Sequence, residues 1–289
     1  YRTPVVPVLS VAAASGLAAL FRLLRKPGRR SAILPGAPGA AAAVLSSAFG
    51  PFPQEKTDYA AEMYYCLGVD RSEDGDLSGA EGFLRRAVEL RPDYADAHNS
   101  LGVVHERSNR PVTASEHYAE AVRHDSANVT ARLNLANMLY ERNMLARAAE
   151  EYAEVIRIAP ANLTAHNRLG LSWSRLGQPA RAAEHFANAL RIDPRNADMH
   201  NNLASAYRQV GRADEAEAHY RAALAIAPGL TVAVDNLADL LIQEGRHAEA
   251  EDAYRRALDH ARRAELHGLA QHCERRMEQI RGGDTDRVD

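Results

Sequence analysis

The sequence predicts an all-α fold: a solenoid of six helix hairpins, closed by a C-terminal capping helix and preceded by an apolar N-terminal segment. Three observations carry this expectation. Pro92, Pro160, Pro194 and Pro228 fall on one 34-residue grid, with Ser126 at the remaining node. Leucine recurs on the same ruler at Leu67, Leu101, Leu135, Leu169, Leu203 and Leu237. The chain is 46% hydrophobic but only 6% aromatic and rich in alanine, a composition for close-packed helices rather than a β core. One such repeat cannot bury its own apolar face, so neighbours must stack and both ends need covering.

Placing the prolines at position 32 sets the repeats at 61–94, 95–128, 129–162, 163–196, 197–230 and 231–264. Position 8 is always small (Gly68, Gly102, Ala136, Gly170, Ala204, Ala238), and position 20 is always alanine, from Ala80 to Ala250. Helices approach closely only where facing side chains are small. The large residue at position 24 (Leu84, Tyr118, Tyr152, Phe186, Tyr220, Tyr254) then fills the gap to the next repeat. Position 15 is Gly75, Asn109, Asn143, Gly177, Gly211 or Gly245, the residue types that accept a left-handed backbone. The first helix of each hairpin is expected to stop there, and the second at the proline, which cannot continue the ladder. After the last repeat, Leu266, Leu269, Ala270, Cys273, Met277 and Ile280 recur at helical spacing. Residues 265–281 are therefore expected to be a capping helix ending near Gly282-Gly283, with 282–289 a loose tail.

These residues resemble the tetratricopeptide repeat family over 61–264. The resemblance implies a right-handed superhelix whose first helices line a concave groove that receives an extended peptide or a helix. It also implies that positions 2, 5, 6, 9, 12 and 13 face that groove. The candidate peptide-binding residues are then Asn99, Asn134, Asn137, Asn167, Arg168, Asn201, Asn202, Arg208, Asp235 and Asn236, with Asp96, Asp198, Asp239 and Arg175 beside them. Asparagine offers donors and an acceptor, so a row of them can hold a peptide backbone irrespective of its sequence. The row resembles the asparagine ladder of O-linked N-acetylglucosamine transferase repeats, broken at Cys66, Ser100 and Arg168. The other reading is that these asparagines cap or bridge helices. The lysine-based clamp by which some members grip chaperone C-termini is absent, since residues 57–289 contain no lysine.

The first sixty residues are a different kind of sequence. Val5 to Phe21 is an uncharged run at the short limit for a membrane span, and 31–54 is a second uncharged run broken by Pro35, Gly36, Pro38 and Gly39. Arg22, Arg25, Lys26, Arg29 and Arg30 lie between them. A basic loop between apolar segments fits a membrane hairpin with the repeats outside the cytoplasm, in a periplasm, lumen or exterior. Two other readings stay open for 1–60: an organellar transit segment, or an extension that packs on the solenoid or on another copy. Tyr1-Arg2-Thr3-Pro4 and Val5 to Leu9 also resemble a late span of multi-spanning polyprenol-phosphate-sugar glycosyltransferases, some of which carry these repeats outside the membrane. That family's catalytic acidic loops are missing here.

No catalytic constellation is legible: no phosphate loop, nucleophile elbow or His-Glu-x-x-His helix. No cofactor or metal is expected. Cys66 and Cys273 lie too far apart in the chain for a ligand motif. His98, His166 and His200 share position 4, and His117, His185 and His219 share position 23. Their recurrence is read as ordinary helix-surface histidine, not as a metal site or pH sensor. Asn128 and Asn162 head glycosylation sequons, which matter only on a glycosylating route. The six basic residues before position 55 leave 29 basic against 38 acidic residues in 55–289, a net of −9, which excludes nucleic acid as the main partner. The expected role is a non-catalytic scaffold with a protein or peptide partner, with membrane contact through residues 5–52 and self-association as further expectations.

Overall fold

A computed structural model describes residues 53–285 of the chain, and the expectations for the N-terminal apolar segment lie outside them. The chain divides into two compact units, 1–60 and 61–289. Among the described residues there are thirteen helices and no strand: α1 (Pro53–Glu73), α2 (Leu77–Leu90), α3 (Ala95–Arg107), α4 (Pro111–His124), α5 (Val129–Glu141), α6 (Leu145–Ile158), α7 (Leu163–Arg175), α8 (Pro179–Ile192), α9 (Ala197–Gln209), α10 (Ala213–Ile226), α11 (Thr231–Gln243), α12 (His247–Arg263) and α13 (His267–Thr285). In the second unit they pair as successive hairpins in a solenoid, each helix packed on its sequence neighbours.

The first helix of every hairpin stops for the same local reason. Gly75, Asn109, Asn143, Gly177, Gly211 and Gly245 all adopt positive φ, between 56° and 85°. Each turn is then closed by a bond from the next residue's N–H to the carbonyl five residues back, such as Arg110 to His105 at 2.9 Å and Arg246 to Leu241 at 2.8 Å. This is the left-handed helix stop in which the orphan carbonyls of the last turn are satisfied.

The second helix stops less simply than the proline grid implies. α4 ends at His124 although Ser126 stands where the other repeats have proline. Asp125 substitutes for it by accepting from the backbone N–H of Ala127 at 3.0 Å, an Asx turn that competes with the helix. Repeat six has Arg262 at that node and no such device, so α12 runs on to Arg263. It ends at Glu265, forced to φ 56°, with Leu266 N–H bonded to Ala261 at 2.8 Å. The capping helix α13 also overruns its expected stop at Gly282. Glycine costs a helix about 1 kcal/mol but does not end it without a left-handed turn or a proline.

The core follows the alternation of sizes. Ala80, Ala114, Ala148, Ala182, Ala216 and Ala250 are fully buried, as are Leu84, Tyr118, Tyr152, Tyr220 and Tyr254. A Cβ added at Gly102 would lie 2.4 Å from the Tyr118 ring, and one at Gly170 2.6 Å from the Phe186 ring, so these glycines are required by close approach. α13 closes the end of the core, burying Cys273 and Met277 against Val234, Leu241 and Tyr254. No described helix is long and apolar enough to cross a membrane.

Candidate functional site

The first helices of neighbouring repeats lie side by side and present their polar positions on one surface. Two asparagine pairs join across it. Asn134 Nδ2 donates to Asn99 Oδ1 at 3.0 Å, and Asn236 Nδ2 donates to Asn201 Oδ1 at 3.0 Å. Each rung links position 6 of one repeat to position 5 of the repeat before it. Asn167 and Asn202 occupy the equivalent pair of positions without forming the rung, and Asn167 Oδ1 is buried with no hydrogen-bond partner.

A second set of polar residues on this surface serves the core. The tyrosines at position 24 are buried rings whose hydroxyls emerge at the inner face. Tyr152 donates to Asn137 Oδ1 at 2.6 Å, Tyr220 bonds Ser205 Oγ at 3.0 Å, and Tyr118 donates to Glu106 Oε2 at 2.7 Å. Repeat four has Phe186, which needs no acceptor, and Leu171 stands at position 9 where repeat three has Asn137. A buried hydroxyl left without a partner would cost about 1–3 kcal/mol, which explains the matching. Burial pushes all four tyrosine phenols up, so they stay neutral donors at physiological pH.

The capping helix occupies the C-terminal end of the surface. Asp235 Oδ1 accepts from Tyr254 at 2.7 Å and pairs with His272 Nε2 at 2.8 Å. Arg276 donates to Asp239 at 2.7 Å and to the Tyr254 hydroxyl at 2.9 Å. Asp235, expected to meet a peptide, is therefore held between the core and α13. Sequence reasoning missed His272 and Arg276 because only docking of α13 brings them to Asp235 and Asp239, 37 residues earlier in each case.

The middle of the surface is different. Arg168 lies 3.8 Å from the exposed Glu141 and 5.4 Å from the Tyr140 ring centroid, while Arg175 sits 4.4 Å from the same centroid. Among the described residues, Arg175 and Arg208 have no carboxylate within ion-pair distance, and Asn202 makes no hydrogen bond. Arg168 and Arg175 thus meet at the Tyr140 ring, and Arg208 lies on α9 in the next repeat; of the three, only Arg168 has a carboxylate nearby among the described residues, the exposed Glu141.

Asn128 and Asn162 are helix caps. Their Oδ1 atoms accept from Ala131 and Ala165 N–H at 3.0 and 2.9 Å, and Asn196 does the same for Met199. Asn128 Nδ2 also donates to Asp96 at 3.0 Å. The cap requirement explains asparagine at the last position of three repeats without reference to a sugar. Among the described residues, no group of three or more His, Cys, Asp or Glu side chains is arranged to hold a metal.

Comparison with known proteins agrees with this architecture. Tetratricopeptide repeat family profiles match residues 67–123, 107–162, 167–231 and 208–273. The type IV pilus assembly protein PilF of Pseudomonas aeruginosa is 34% identical over 105 residues, which are 36% of this chain and 42% of that protein. Less than half of that relative's length is therefore matched. Among solved structures, Pseudomonas aeruginosa PilF superposes with a TM-score of 0.57 at 23% identity, covering 76% of this chain and 99% of that one. YrrB, a TPR protein with an unusual peptide-binding site, has a TM-score of 0.56 at 21% identity, covering 60% and 89% of the two chains. MamA has a TM-score of 0.54 at 21% identity, covering 57% and 91%.

Proposed function

This chain belongs to the tetratricopeptide repeat family, and from that premise we propose that it is a scaffold whose inner face grips an extended, acidic peptide. A protein-interaction scaffold is the role the repeats support at the coarser level. The groove and the acidic partner are the finer reading, and it assigns the chain no catalysis. One observation carries it: Arg168 and Arg175 sit together at the Tyr140 ring with only the exposed Glu141 at ion-pair distance among the described residues, and Arg208 on α9 has no such partner, whereas the acids at the C-terminal end are engaged by α13. A carboxylate entering there would replace water around three cations and gain charge-assisted hydrogen bonds. Asn202 supplies a further contact for a peptide backbone. The asparagines of the two closed rungs and Asn137 set the spacing of the groove walls rather than touching the ligand. YrrB's peptide-binding site, and PilF's name as a pilus assembly protein, support a role in holding other proteins together.

The test is fluorescence anisotropy of the full chain with labelled extended peptides, acidic and neutral, of equal length. Acidic peptides are expected to bind more tightly and to weaken with salt, since rim charges are screened. Replacing Arg168, Arg175 and Arg208 together by alanine is expected to lower that affinity by about tenfold or more. Equal binding of both peptide classes, or an unchanged affinity in the triple variant, would refute the reading.

A further inference from the structure

Positions 4 and 23 face each other across each hairpin, and in five of the six they carry a matched polar or aromatic pair. Tyr64 stacks on Phe83 with centroids 6.3 Å apart, and Arg132 forms an ion pair with Glu151. Repeats two and five instead have His98 and His117, with Nδ1 atoms 3.3 Å apart, and His200 and His219, with Nδ1 atoms 2.9 Å apart. Repeat four has His166 and His185, set wider with centroids 5.8 Å apart and neither Nδ1 partnered. Repeat six has Val234 and Ala253, packed in the apolar core. The histidines were expected to be ordinary surface residues; the structure pairs them within hairpins instead.

The position-4 residue also reaches back to the preceding repeat. His98, His166 and His200 each place Nε2 on the carbonyl of Pro92, Pro160 and Pro194, at 3.0, 3.0 and 3.2 Å, as Arg132 Nη2 does on Ser126 at 2.9 Å. These side chains are latches, tying the two helices of one hairpin to each other and to the previous repeat.

The hydrogen count of the histidine latches follows from the partners. A carbonyl can only accept, so Nε2 of His98, His166 and His200 carries the hydrogen, and in a neutral ring Nδ1 is then a bare acceptor. In the closed latches the facing Nδ1 of His117 or His219 must be the donor. Protonating one ring leaves an Nδ1–H···Nδ1 bond once the neutral partner shifts its hydrogen to Nε2, whereas protonating both rings puts two N–H groups nose to nose and two like charges at hydrogen-bond distance. Two nitrogens per latch are too few to hold a metal instead.

We propose that the closed histidine latches of repeats two and five, with the wider buried pair of repeat four, make these repeats a pH-responsive part of the solenoid, firm at neutral pH and loosened by mild acid. The surroundings reinforce this. In repeat two, the fully buried His105 stacks parallel on His117 at 5.1 Å with neither ring nitrogen partnered, and His124 lies on the other side of His98 at 5.6 Å. Arg85, Arg110 and Arg123 add positive charge there, against Glu81 and Glu120. Glu184 is the one charged neighbour that favours protonation of His185, and Tyr207 lies against His219 in a hollow shared with Arg191. Burial first, and neighbouring histidine or arginine charge second, holds His105, His117, His185 and His219 below the ordinary imidazole range, with His117 at about 4. Burial likewise lowers His98. The unfolded chain takes up these protons near the ordinary imidazole value of 6.5 while the folded chain resists them. The stabilisation is therefore complete above that pH and is lost as pH falls from 6.5 toward the folded values.

The experiment compares thermal unfolding of the full chain from pH 8 to 5 with that of a six-site variant: His98→Val, His117→Ala, His166→Val, His185→Ala, His200→Val and His219→Ala. It copies the titration-silent Val234 and Ala253 pair. The unmodified chain is expected to lose about 8 °C or more in Tm between pH 6.5 and 5, with the variant losing less than half as much. Parallel decline of the two curves would overturn the proposal. Should the variant not fold, long-range 1H–15N NMR of the unmodified chain decides. Nε2–H tautomers at His98, His166 and His200, with His117, His185 and His219 titrating below free histidine, support it; Nδ1–H tautomers at the first three, or midpoints near the free value at the second three, overturn it.

Discussion

Gly102→Ala sets two effects of opposite sign against each other. In an open helix the change gains about 0.5–1 kcal/mol, because glycine loses more backbone freedom on folding. Here the new Cβ would lie 2.4 Å from Cε1 and 2.5 Å from Cδ1 of Tyr118, a fully buried ring. Overpacking of this kind costs about 1–3 kcal/mol. Swinging the ring aside would instead break the 2.7 Å bond from its hydroxyl to Glu106, a loss of about 1 kcal/mol or more. Repeats three and five show the alternative arrangement: Ala136 and Ala204 stand at position 8, and the hydroxyls of Tyr152 and Tyr220 go to position 9, at Asn137 and Ser205. Repeat two has Val103 there, which accepts nothing. The net expectation is destabilisation by about 1–2 kcal/mol, or roughly 2–8 °C in Tm for a domain of this size. Adding Val103→Asn recreates the pairing of repeat three and is expected to recover at least half of the loss. Circular dichroism melts of both variants provide the assay. A single variant as stable as the parent, or a double variant no better than the single, would refute the coupling of positions 8, 9 and 24.

Three further outcomes follow from the same contacts. Glu265 is held at φ 56°, so Glu265→Gly is expected to stabilise by about 0.5–1 kcal/mol, read as a rise in Tm. Arg132 is buried and paired with Glu151, so Glu151→Gln is expected to cost about 3 kcal/mol in a urea titration. The double change Arg132→Val and Glu151→Ala is expected to cost less, because no buried charge is stranded. Arg276 links α13 to Asp239 and Tyr254; Arg276→Ala is expected to speed amide exchange in α13 about tenfold relative to α9, and uniform exchange across both helices would contradict its role as a clasp.

Much of the fold was legible in the sequence because its determinants are local or strictly periodic. The stops at Gly75, Asn109 and their equivalents need only a residue tolerant of left-handed backbone. The small residues at positions 8 and 20 report the approach of two helices joined by one short turn. Where a stop rested on a device other than proline, as at Asp125 or Glu265, the proline grid alone missed its cause.

The inner face was legible only as a list of polar residues facing one way. Asn99, Asn134, Asn137 and Asp235 look alike in sequence, yet the structure makes them rungs, a tyrosine acceptor and a seat for the cap. Periodicity assigns a residue to a face, but its partner lies on another helix, 15 to 37 residues away, and is chosen by rotamer and approach. The same holds for the histidines: their recurrence was written in the repeat, while the meeting of His200 with His219 depends on how closely α9 and α10 pack. Sequence by itself determined the hairpins and their stacking, through backbone tolerance and side-chain size. Only tertiary packing decided which polar groups satisfy the protein and which are left to satisfy something else.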